Sequence, residues 1–159
     1  MPNLGVTGVQ IEILAKAPAQ IPVLVLGAHE GRGLTPTAAA WDKRLKGALR
    51  RAMASGRFTG ARDQHLDILA PAGLPQRRLL LVGLGTARTL KSAAAEEIGG
   101  RIENVLAQLE EAEAAVALDL PAGLTAHLAL GAILGGQRFL KLRTRPRPDD
   151  VRAVRRLVL

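Results

Sequence analysis

The sequence predicts a single α/β domain: a mixed, partly parallel β-sheet sandwiched between helices. Three observations carry the prediction. Short apolar runs alternate with longer segments of helical period. One run, Leu79-Leu80-Leu81-Val82, is apolar without interruption, as a strand covered on both faces must be. The chain has 159 residues, 48% of them apolar, enough for a real core. Aromatics make up only 2% (Phe58, Phe139 and Trp41), so that core has to be built of Leu, Val, Ile and Ala.

From the amino end, Val9 to Ala15 sets Val9, Ile11, Ile13 and Ala15 against Gln10, Glu12 and Leu14 and reads as a half-buried strand. Val23 to Leu26, after Pro22, reads as a buried strand, and Gly27 to Gly33 as a loop. Thr35-Pro36 opens a helix: threonine caps it, and proline at the first position gives up an N–H that has no partner there anyway. Trp41, Leu45, Ala48, Leu49, Ala52 and Met53 form its apolar face, and Ser55-Gly56 ends it. Two strands follow, His65 to Ala70 and Arg78 to Val82, joined through Pro71 to Pro75 as a hairpin or tight connection. The second stops at Gly83-Leu84-Gly85. A long helix runs from about Leu90 to Glu111. Gly99-Gly100 in its middle costs about 1 kcal/mol per glycine against alanine, which close packing on the sheet would explain. Ala114 to Leu118 is a strand, and Ala122 to Leu134 a small-residue helix continuing toward Phe139.

Residues 1–142 are thus read as the domain. Residues 143–150 are read as a linker, since two prolines and five charges oppose a packed element. Residues 151–159 resume strand character as the start of a following segment, which makes the chain look cut from something longer.

Composition excludes several chemistries. With no cysteine, there is no disulfide, thiolate metal site or cysteine nucleophile. No basic stretch followed by an apolar run opens the chain, and no apolar stretch reaches about 18 residues, so neither a signal peptide nor a membrane span is expected. A cytoplasmic location and no membrane partner follow as expectations. The net charge of +8 is concentrated: residues 138–159 hold eight basic and two acidic side chains, the other 137 residues 14 and 12. Such a tail either keeps the chain soluble or contacts nucleic acid weakly, through Arg143, Arg145, Arg147, Arg155 and Arg156.

No catalytic or metal-binding set is visible. The carboxylates Glu96, Glu97, Glu103, Glu110, Glu111 and Glu113 read as a solvated helix surface. His29, His65 and His127 lack a ligand partner at metal spacing. A general-base role for His127 competes with a structural or surface one. Ser55 and Ser92 sit in no nucleophile elbow. Gly83 and Gly85, after a strand and before a helix, are the candidate cofactor-binding residues as a phosphate-type loop. The dinucleotide fingerprint is broken by Arg88 where Gly or Ala is needed.

Three segments, taken in order, carry a family resemblance. They are Phe58-Thr59-Gly60; Leu80-Leu81-Val82-Gly83-Leu84-Gly85, with Gly99-Gly100 in the helix that follows; and Ala126-His127-Leu128-Ala129-Leu130-Gly131, running on through Gln137-Arg138-Phe139 to Arg143-Thr144. Together they resemble the amino-terminal domain of the cytosolic leucyl aminopeptidases. The family's Tyr-Arg-Phe-Asp pattern is altered here, with Gln137, Leu140 and Leu142 where Tyr, Asp and a second Tyr are usual. The resemblance implies a macro-domain-like fold and a two-domain parent whose other half binds two divalent metals, Mn or Zn, and removes amino-terminal residues from peptides. It implies a homo-hexamer, in which this domain's partners are its own catalytic domain and neighbouring subunits. The family's metal signature, Asn-Thr-Asp-Ala-Glu-Gly-Arg-Leu, does not occur in the chain. The expected role is therefore a non-catalytic assembly and regulatory domain with no cofactor of its own. The alternatives are a nucleic-acid-binding module acting through the basic tail and a macro-type ADP-ribose or nucleotide binder.

Overall fold

The computed structural model describes residues 10–12, 18–31, 33–141 (backbone alone from 138) and 156–159. Among them the strands are β1 (Gln10–Glu12), β2 (Val23–His29), β3 (Gly33–Leu34), β4 (His65–Leu69), β5 (Arg78–Gly83), β6 (Glu113–Ala117) and β7 (Arg156–Val158). The helices are α1 (Pro36–Arg44), α2 (Ala48–Ser55), α3 (Ser92–Gln108) and α4 (Ala122–Lys141). They build one mixed sheet in the order β1-β7-β6-β2-β5-β4, with β3 folded back on the end of β2. Only β3 and β4 run antiparallel to their neighbours.

Register explains why the apolar run at β5 is continuous. Leu24 faces Leu79 and Leu26 faces Leu81 across the β2–β5 ladder, and alternate residues enter opposite cores. Leu80 and Val82, with Val23 and Val25, pack under Ile98 and Ile102 of α3 and Leu128 of α4. Leu79 and Leu81, with Leu24 and Leu26, pack under Leu45, Leu49 and Met53 on the other face. Leu79, Leu80 and Leu81 are wholly enclosed, and each such burial stabilises by about 1.5–3 kcal/mol.

The first helix begins as expected. Thr35 Oγ1 accepts from the Ala38 N–H at 3.4 Å, and Pro36 holds the first position. Several other expectations need correction. The single helix expected from Thr35 to Ser55 is two, because Lys46 (φ 54°) and Gly47 (φ 78°) turn left-handed between them. Buried Asp42 rewards the break: its Oδ1 accepts from the N–H groups of Leu49 (2.9 Å) and Arg50 (3.3 Å), capping α2 from the preceding helix. The loop expected at residues 27–33 is partly strand, since β2 continues to His29 and pairs with β3.

The glycine pair in α3 packs on a helix, not on the sheet. α3 and α4 approach so closely that a Cβ on Gly131 would lie 2.6 Å from Glu96 Cα, and one on Gly99 would lie 3.0 Å from Ala132 N. Two of the carboxylates expected to be solvated are hidden, one on α3 and one in the turn after α3 ends at Gln108. Glu103 is buried against α4, and Glu111 is buried beneath Arg77 and Arg78. Residues 156–158, read as the start of another segment, form β7 within this sheet, between β1 and β6. The linker expected at residues 143–150 lies outside the described residues.

Candidate functional site

The chain leaves β2 toward β4 and β5 but leaves β6 toward β7, so the connections diverge between two neighbouring parallel strands. Such a switch point opens a crevice at the strands' carboxyl ends, where ligands of open α/β sheets bind. A cavity of about 270 Å³ lies on the β6–β7 side of that edge. Leu118, Leu120, Leu128 and Leu159 give it apolar walls, and Asp119, Thr37 and Thr125 its polar atoms.

Asp119 is the unusual member. It follows β6 in a left-handed conformation (φ 56°) that only glycine adopts freely. Its carboxylate reaches α1: the Thr37 N–H donates to Oδ2 at 2.8 Å and the Thr37 hydroxyl to Oδ1 at 2.6 Å. Every amide of the first turn of α1 is then accounted for. Pro36 has none, Thr37 donates to Asp119, Ala38 to Thr35 Oγ1 and Ala39 to Thr35 O.

The glycine loop after β5 borders the same carboxyl edge, and its amides are likewise committed. Gly83 N donates to Gln64 O, Leu84 N to Ala28 O and Gly85 N to Gly60 O, all at 2.9 Å. A Cβ on Gly83 would lie 2.8 Å from Gly60 C, and Gly85 is left-handed (φ 70°) beneath the Arg62 side chain. The two glycines read as a phosphate loop thus serve a tight strand-to-loop contact, with their own N–H groups already donated.

The other candidate residues are scattered. His29 Nδ1 lies 3.3 Å from Gly85 O, and His127 Nδ1 lies 2.6 Å from Glu96 Oε1 on the surface of the α3–α4 pair. His65 and Glu96 border a wide groove of about 670 Å³ between the β4 edge and those helices. Ser55 Oγ donates to Ala52 O, and Ser92 is exposed at the start of α3. Among the described residues no three His, Asp or Glu side chains converge as metal ligands, and no helix is long and apolar enough to cross a membrane. Of the five tail arginines, Arg156 makes a bidentate pair with Glu12 at 3.0 and 2.9 Å, which ties β7 to β1 and holds the Glu12 carboxyl below its usual range. Arg143, Arg145, Arg147 and Arg155 lie outside the described residues.

Two residues were missed from the sequence. Asp119 carried only a weak signal, an acid between a strand and the proline that precedes a helix. Glu103 stands four residues after Gly99, on the same α3 face. Neither of its carboxylate oxygens has a hydrogen-bond partner among the described residues, and burial raises its pKa to about 7.

Residues 25–146 match the model of the cytosol aminopeptidase family, N-terminal domain. A probable cytosol aminopeptidase of Caulobacter vibrioides is 39% identical over 136 residues, which is 86% of this chain and 27% of that protein. The chain therefore spans about a quarter of that relative's length. Among solved structures, a tomato leucine aminopeptidase mutant superposes with a TM-score of 0.71 over 94% of this chain and 32% of its own, at 21% identity. A Trypanosoma brucei macrodomain in complex with ADP superposes at 0.60 over 96% of this chain and 63% of its own, at 14% identity, so the macrodomain likeness is one of fold.

Proposed function

The chain belongs to the cytosol aminopeptidase family, as its N-terminal domain, and from that membership we propose that it serves as the non-catalytic assembly and regulatory domain of a metal-dependent leucyl aminopeptidase. The observation that carries this reading is the family match over residues 25–146, in a chain that covers only 27% of a full-length relative. The parent's peptidase chemistry is then assigned to the remainder, where two divalent ions, Mn or Zn, would activate water and polarise the scissile carbonyl. The described residues here do not fit such a centre, since no three potential ligands come together, and no step of hydrolysis is routed through them.

What this domain supplies is surface. Leu130 and Leu134, one turn apart on α4, are each 43% exposed, and the groove beside Leu134 is lined by both acids and bases. In a homo-hexamer these features would face the domain's own catalytic half or a neighbouring subunit. The test compares the full-length Caulobacter relative with two altered forms: one lacking the segment that matches this chain, and one carrying this chain in its place. Sedimentation should show loss of the native assembly in the first and recovery in the second. A deletion form that assembles and hydrolyses peptides as the full-length protein does would overturn the assignment.

A further inference from the structure

We infer that Asp119 sets the chain's own carboxylate on the first turn of α1, at the wall of the carboxyl-end cavity, so that this helix start is closed to the phosphate groups of nucleoside diphosphates despite a fold shared with a macrodomain solved with ADP. A phosphate in an open α/β sheet is held by the N–H groups of a helix's first turn and of glycine loops beside it. Here the three N–H groups in the first turn of α1 are spent on Asp119 and Thr35. Those of Gly83, Leu84 and Gly85 are spent on carbonyl groups of Gln64, Ala28 and Gly60.

Charge and conformation support the same conclusion. Asp119 meets the positive end of α1 directly and stands three residues before Ala122, the first residue of α4. A second anion brought to the start of α1 would meet this carboxylate. Asp119 also holds a left-handed backbone, a conformation that persists in a non-glycine residue only when surrounding contacts enforce it. The paired bonds to Thr37, from a residue 82 positions away, are such contacts.

The test titrates inorganic pyrophosphate and, separately, ADP into the wild-type chain, Asp119→Asn and Asp119→Ala, following backbone amide resonances by NMR. In the wild type neither probe should give saturable shifts at Thr37 or Ala38 at millimolar concentration. Asp119→Ala frees the Thr37 N–H and removes the charge, and should bind pyrophosphate at least about ten-fold more tightly, the equivalent of one freed charge-assisted hydrogen bond. Asp119→Asn keeps an acceptor for Thr37 without the charge and should fall between the two. That variant decides the matter if the alanine form does not fold: pyrophosphate affinity equal to wild type would overturn the inference. Saturable binding of ADP to the wild type, centred on Thr37 and Leu120, would overturn it as well.

Discussion

Replacing Glu103 by glutamine should change stability in a way that depends on pH. The side chain is 0% exposed, and neither oxygen has a hydrogen-bond partner among the described residues. Burial lifts its pKa from 4.5 to about 7, so the folded protein holds a proton there that the unfolded chain has released. A carboxyl whose pKa is raised on folding contributes its full stability below the unfolded value and loses it as pH rises through the folded one. At about 1.4 kcal/mol per pH unit, the loss by pH 8.5 is about 3 kcal/mol; at pH 5 it is still under about 1 kcal/mol. Glutamine has nearly the same shape and never ionises. Glu103→Gln should therefore gain about 2–3 kcal/mol more relative to wild type at pH 8.5 than at pH 5. Urea midpoints of both proteins at both pH values measure this, and taking the difference between proteins cancels every other titrating group. A stability difference that is the same at both pH values would show that Glu103 is solvated or paired, and the reasoning from burial would fail.

Other outcomes follow from the same packing. Gly131→Ala places a carbon 2.6 Å from Glu96 Cα, so α3 and α4 must separate; overpacking of this kind costs about 1–3 kcal/mol, which outweighs the roughly 1 kcal/mol gained in helix propensity. Gly123→Ala, with nothing within 4 Å of its added Cβ, should cost nothing, and equal denaturation midpoints for the two variants would contradict the close crossing. Leu79→Ala should destabilise by about 2–4 kcal/mol and Val82→Ala by less, measured by denaturant unfolding, because both are enclosed in β5.

How much of this was legible depended on whether a residue's partners were local. The β5 strand could be read because four consecutive apolar residues admit few other states, and the α1 cap because Thr35-Pro36 acts within its own turn. The break between α1 and α2 was hidden because Leu45, Leu49 and Met53 keep a four-residue spacing across it. The deciding contact, from Asp42 to the Leu49 amide, spans the turn and leaves no periodic mark. Gly99-Gly100 announced a close approach but not its partner, since α4 lies some thirty residues on and glycine packs as readily against a helix as against a sheet. The carboxylates of α3 looked equivalent in sequence. Only the turn-by-turn position of Glu103 below Gly99 separates it from its solvated neighbours. Asp119 could not be recognised without Thr37, because an aspartate after a strand is an ordinary turn residue until its acceptor atoms are placed.

The central claim, that this domain belongs to an aminopeptidase without performing its chemistry, is tested most directly by hydrolysis of leucine amide. The purified 159-residue chain is assayed with and without added Mn²⁺ or Zn²⁺, beside the full-length Caulobacter relative. The account predicts metal-dependent turnover by the relative and none above buffer by the chain. Turnover that follows the chain through purification, requires the metal and is lost on substituting one of its own residues would contradict it.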